Sequence, residues 1–122
     1  MNTAASIAVA LVAVLHVYFL ALEMFLWTTP YGRRVFHLSA DYAQASAPLA
    51  KNQGLYNGFL AAGLVWGLAQ GAAGFSTQVF FLVCVVVAGV FGAATANRII
   101  LWAQAVPGAV AMALVLLARA RP

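Results

Sequence analysis

Apolar stretches about as long as a bilayer is thick decide what this chain can fold into. From Ala4 to Trp27 the strongly polar residues that interrupt the run are His16 and Glu23, and a spanning helix needs about 20 apolar residues. Three more stretches follow, at 52–70, 75–96 and 99–118. The expected fold is therefore all-α, an integral membrane four-helix bundle forming one domain over 1–122. No run alternates strictly enough for an outer-membrane barrel strand. Only 7% of residues are charged, against about 25% in ordinary soluble domains, which excludes a soluble globular protein. Six basic and two acidic residues give +4, but the basic ones are scattered, so no nucleic-acid footprint exists. The lone Cys84 excludes an intramolecular disulfide and reads as a small apolar residue. No Cys/His spacing suggests a metal, and no cofactor is expected.

The breaks between the stretches are unequal. Thr28 to Gly32 end the first with turn residues, and no basic segment precedes it, so it reads as a span and not a signal peptide. The one long polar connection, 28–51, carries Arg33, Arg34, His37, Asp41, Gln44 and Lys51. Val35, Phe36, Leu38 and Tyr42 are mixed among them, which predicts a short interfacial helix that Pro48 breaks or restarts. Gly71 and Gly74 predict a tight turn, Asn97 and Arg98 another, and Pro107-Gly108 a kink midway along the last helix. Arg33, Arg34, Lys51 and Arg98 on one side outnumber Arg119 and Arg121 on the other. This bias places the long loop in the cytoplasm and the termini outside, in a multi-pass plasma (inner) membrane protein.

Helices associate in lipid through small residues at four-residue spacing. Gly54, Gly58 and Ala62 form one row, Gly63, Gly67 and Gly71 a second, and Gly89 with Ala93 repeats the pattern. Packing within the chain is the first use of such rows, and a homo-oligomer contact the second.

Ionisable groups inside a span are costly and mark functional sites. His16 and Glu23 are two turns apart on one helix face. With Trp27 at the interface, Glu23 lies roughly 6 Å and His16 roughly 16 Å deep. Asn57 and Gln104 fall roughly 7 and 8 Å into their helices from the same side, with Gln53, Tyr56, Thr95, Asn97 and Arg98 near that end. Depth matching predicts a one-sided polar pocket that opens toward the long loop and is floored by His16. Its ligand-binding candidates are Glu23, His16, Gln53, Tyr56, Asn57, Asn97, Arg98 and Gln104, with Arg98 the expected partner of Glu23. Each also has a plainer reading. Glu23 serves as half of a structural ion pair, His16 as a hydrogen-bonded core histidine, Asn57 and Gln104 as interhelical glue, and Trp27, Trp66 and Trp102 as belt anchors.

The run from Asn52 to Ala61, NQGLYNGFLA, together with His16, the Glu23 to Trp27 stretch and Arg33-Arg34-Val35-Phe36, resembles the small four-helix membrane proteins grouped as domain of unknown function 1304. That resemblance covers nearly the whole chain and implies a bacterial-type plasma-membrane protein of four spans, with no established activity. A looser similarity joins the chain to the trimeric membrane enzymes of eicosanoid and glutathione metabolism, whose basic glutathione-binding cluster it lacks.

Three functions fit these residues. In the first, the pocket binds a small polar or amphiphilic molecule, or transports it coupled to protons, with Glu23 titrating and His16 relaying. In the second, a membrane enzyme acts on a lipid or apolar substrate with His16 and Glu23 as the catalytic acid-base pair. The two are separated by about 10.5 Å of helical rise, so substrate or water must bridge them. In the third, the chain is an accessory subunit whose polar cluster specifies packing. One deep histidine, with His37 in the loop, makes haem ligation a minor fourth reading.

Overall fold

The computed structural model describes residues 2–121, without a strand among them. There are five α-helices: α1 (Thr3–Met24), α2 (Pro30–Phe36), α3 (Ala40–Ala69), α4 (Phe75–Thr95) and α5 (Val106–Ala120). A 3-10 turn, Gly71–Gly74, precedes α4, and a π-helical turn, Leu101–Ala105, precedes α5. Among the described residues three segments are long and apolar enough to cross a membrane: Thr3–Met24, Gly71–Thr95 and Leu101–Ala120. The longest helix, α3, is not one of them, because Asn52, Gln53 and Asn57 lower its hydropathy.

Several expectations are corrected here. The connection 28–51 is not one loop but α2 and the first turns of α3. The Thr29 hydroxyl accepts from the Gly32 N–H at 3.2 Å, and Pro30 occupies the first turn, where its missing N–H costs nothing. His37 closes α2 in a left-handed conformation, φ 56°, with its N–H on the Arg33 carbonyl. Ser39 then caps α3, its hydroxyl accepting from the Tyr42 N–H at 3.1 Å. Pro48 does not break the chain; α3 runs through it. Proline deletes one hydrogen bond, to the carbonyl four residues back, and Gln44 and Pro48 both lie on the exposed side while Ala43 and Ala50 are buried. Exposure leaves that carbonyl other partners. Just before the Pro107-Gly108 pair stands a π turn, in which the Val106 N–H reaches the Leu101 carbonyl. Widening the helix just before Pro107 makes room for its ring.

The chain divides into two units, Met1–Val14 with Leu60–Pro122, and Leu15–Phe59. In the first, Ala5, Val9, Val12 and Ala13 of α1 share a core with Leu64 of α3, Leu82 and Val85 of α4, and Ala111 and Val115 of α5. Small and β-branched residues dominate inside, while Leu11, Phe80, Val87, Phe91 and Leu117 are exposed. A surface of large apolar side chains around a core of small ones suits lipid surroundings. Gly63 packs under the Phe81 ring, and a Cβ at Gly67 would stand 2.7 Å from Gln78 Cγ.

In the second unit Leu22 and Ala43 are fully buried. The Trp27 ring lies 4.8 Å from Phe36, and its indole N–H donates to Ser46 Oγ at 2.9 Å. That indole therefore holds the first turns of α3. Replacing the cap by Thr29→Ala is expected to destabilise this unit by about 1 kcal/mol, read as an earlier unfolding midpoint in a denaturant titration of the detergent-solubilised protein. An unchanged midpoint would mean that Thr29 caps nothing in solution.

Candidate functional site

Glu23 lies one residue before the end of α1 and Asn57 in the middle of α3, both in the unit 15–59. The Asn57 side-chain amide donates to Glu23 Oε1 at 2.5 Å. Asn57 is buried and Glu23 half-buried, so an acidic side chain is held by a neutral donor. Glycines make the approach possible. A Cβ at Gly54 would stand 2.5 Å from Met24 Cγ and 3.2 Å from Glu23 Cβ, and one at Gly58 2.7 Å from Leu20 Cδ1. The first small-residue row is thus used within the chain, against the face of α1 that carries Glu23.

His16 is fully buried in the same unit, its ring edge-on to Phe19 with centroids 5.4 Å apart. Gln53 and Tyr56 flank Asn57 in sequence but are exposed. Asn97, Arg98 and Gln104 belong to the other unit. There the Asn97 side-chain oxygen accepts from the Ile99 N–H at 3.0 Å, which makes it a turn former ahead of the π segment. Arg98 is exposed, and Gln104 is half-buried within the π turn. Of the eight expected site residues, Glu23 and Asn57 are brought into direct contact, and the described hydrogen bond to the Glu23 carboxylate comes from Asn57.

Among the described residues no group of three His, Cys, Asp or Glu side chains is placed to hold a metal ion. The site's chemistry is that of one carboxylate and one carboxamide. Once Asn57 has given one amide hydrogen to Glu23, the second carboxylate oxygen and the Asn57 carbonyl oxygen remain as acceptors. Such a pair suits a ligand that donates hydrogen bonds or carries a positive charge.

Some polar contacts escaped the sequence reading. Gln78, buried in α4, donates through Nε2 to the Gly67 carbonyl at 3.2 Å. Its signal was a single amide in an otherwise apolar run facing a glycine row. Tyr18 and Tyr31 hydroxyls meet at 2.5 Å, tying α1 to α2 in their unit.

The family model described as protein of unknown function, DUF1304, matches residues 10–116. The chain belongs to the DUF1304 family. The match takes in α2, α3 and α4 entire, so the Asn57–Glu23 contact lies inside the family's shared region. This bears out the resemblance carried by the Asn52 to Ala61 run. The DUF1304 chain is also similar to the uncharacterized protein YpaA of Lactococcus lactis subsp. lactis (strain IL1403), at 29% identity over 96 residues, covering 77% of this chain and 81% of that protein. No solved structure matches it.

Proposed function

We propose that this DUF1304 protein is a four-span integral plasma-membrane protein that binds a small polar or amphiphilic molecule at Glu23 and Asn57, and moves it in exchange for a proton. In this reading α3 supplies the fourth span from Asn52 onward, and the polar connection containing α2 faces the cytoplasm. One observation carries the site: a carboxylate within an apolar helix is held by a buried carboxamide of another helix, with acceptor atoms left over. An ionisable group at membrane depth marks a substrate or proton path. A donor-bearing ligand, such as an amine or alcohol on an apolar body, meets the Glu23 carboxylate and the Asn57 oxygen together. Protonation of Glu23 cancels the charge that holds it and releases it. His16, deeper on the same helix, is the proposed relay. A chain this short encloses little volume, so transport requires a homo-oligomer.

The test is Glu23→Gln, which keeps an acceptor for Asn57 but cannot ionise. In proteoliposomes loaded with a pH dye and challenged with a panel of small amines, the wild type is expected to show amine-dependent proton movement and the variant none. Native mass spectrometry of the detergent-released proteins is expected to show a small molecule retained by the wild type alone. Equal proton movement in both proteins would remove Glu23 from the mechanism.

A further inference from the structure

Beyond Glu23, the unit 15–59 carries a second, differently charged feature. An open surface cavity, with a volume of about 300 Å³, is lined by Pro30, Arg33, Arg34 and Leu38. Its floor is a short helix fixed at both ends. Thr29 caps its start, and the N–H groups of His37 and Leu38 both reach the Arg33 carbonyl, the latter at 2.8 Å. Arg33 Nε donates to the Leu38 carbonyl at 3.4 Å, which steadies the guanidinium and leaves its terminal amino groups for another acceptor. Arg34 is exposed beside it. Neither of the chain's two acidic residues lines the cavity. Glu23 is engaged by Asn57, and Asp41 stands in the first turn of α3.

Two guanidinium forks without a carboxylate form a site for a tetrahedral oxyanion, since the planar donors match phosphate oxygens pairwise. The surroundings choose the source of that phosphate. The cavity begins six residues after the last residue of α1, and the aromatic Trp27 and Tyr31 accompany it in sequence. Phe25 is 71% exposed just before it. An apolar helix end, an aromatic belt and then basic residues is the order of a membrane interface, where phosphodiesters lie. We infer that Arg33 and Arg34 form a binding site for the phosphate of an anionic phospholipid headgroup. This rests on α1 being a membrane span but not on the ligand of Glu23, so Arg34 and Glu23 variants fail separately.

The experiment is native mass spectrometry of the protein released from nanodiscs of equal phosphatidylglycerol and phosphatidylcholine. The wild type is expected to retain phosphatidylglycerol preferentially. Arg34→Gln is expected to weaken that retention about fivefold, the effect of one basic residue near a membrane surface. Arg34→Lys keeps the charge but not the fork, and falls between them. Arg121→Gln, an exposed control of the same charge, leaves retention unchanged, as does Glu23→Gln. Circular dichroism of Arg34→Gln matches the wild type because that side chain is exposed. Undiminished phosphatidylglycerol retention in Arg34→Gln, or an equal loss in Arg121→Gln, overturns the site. Displacement of the lipid by millimolar inorganic phosphate overturns a lipid as its occupant, in favour of a soluble phosphate compound.

Discussion

Gly32→Ala is expected to destabilise the protein by about 3 kcal/mol, combining a steric clash with the loss of a helix cap. The added Cβ would overlap the Leu26 carbonyl oxygen and stand 2.7 Å from its carbon. That oxygen already accepts two bonds from Thr29, from its N–H at 3.1 Å and its hydroxyl at 2.6 Å. The same hydroxyl caps α2 at Gly32. Backbone atoms cannot rotate away, so α2 must lift off the turn after α1 and take the cap with it. Gly71 makes the instructive contrast. It has φ +61° with nothing within 4 Å of an added Cβ, so Gly71→Ala costs only conformational strain, about 1 kcal/mol. Denaturant titrations followed by tryptophan fluorescence compare the two, Trp27 reporting directly on the α2 contact. A Gly32→Ala curve that overlays the wild type, or a larger loss at Gly71, would show that α2 does not rest on the Leu26 carbonyl.

Gly32 also illustrates where sequence reasoning stops. It was legible as part of a turn cluster, yet nothing local says that a carbonyl six residues back fills the place of its side chain. The apolar helices were legible almost to the residue, α1 and α4 ending within three residues of the expected boundaries, because lipid-length apolar runs leave the backbone few other states. Pro48 was misread for the opposite reason. A local rule penalises proline in any helix, but its cost is one hydrogen bond, and the buried Ala43 and Ala50 hold the helix on either side. That Glu23 and Asn57 lie at a similar level was legible through depth, since helical rise from the same side puts both side chains there. The choice of partner was not. Opposite charge nominated Arg98, and nothing local says that glycines at 54 and 58 bring α3 close enough for a short carboxamide to reach the carboxylate. Gln78 stands out as the one amide of its apolar run, but its partner, the Gly67 carbonyl, has no side-chain signature.

A double-mutant cycle on Glu23 and Asn57 is the second large expected effect, and it separates packing from chemistry at the same pair. Asn57→Leu leaves a half-buried carboxylate without its recorded donor and is expected to destabilise by about 2 kcal/mol, since hydrogen bonds to charged groups exceed neutral ones. Glu23→Leu strands the Asn57 amide and costs less, because a neutral group is cheaper to bury. Combining the two removes both polar groups and recovers much of the loss. The resulting coupling energy is expected at about 1–2 kcal/mol, the upper range for interhelical hydrogen bonds in membranes. Glu23→Gln stays near wild-type stability, because its side-chain oxygen still accepts from Asn57. Those values come from unfolding titrations of the wild type and the four variants in one detergent, and additivity of the two single leucine variants would mean that the bond is not made. The glutamine variant carries the argument further, since an intact fold with lost proton movement assigns the charge to function. If the purely structural role of this carboxylate held instead, stability and proton movement would both survive the exchange.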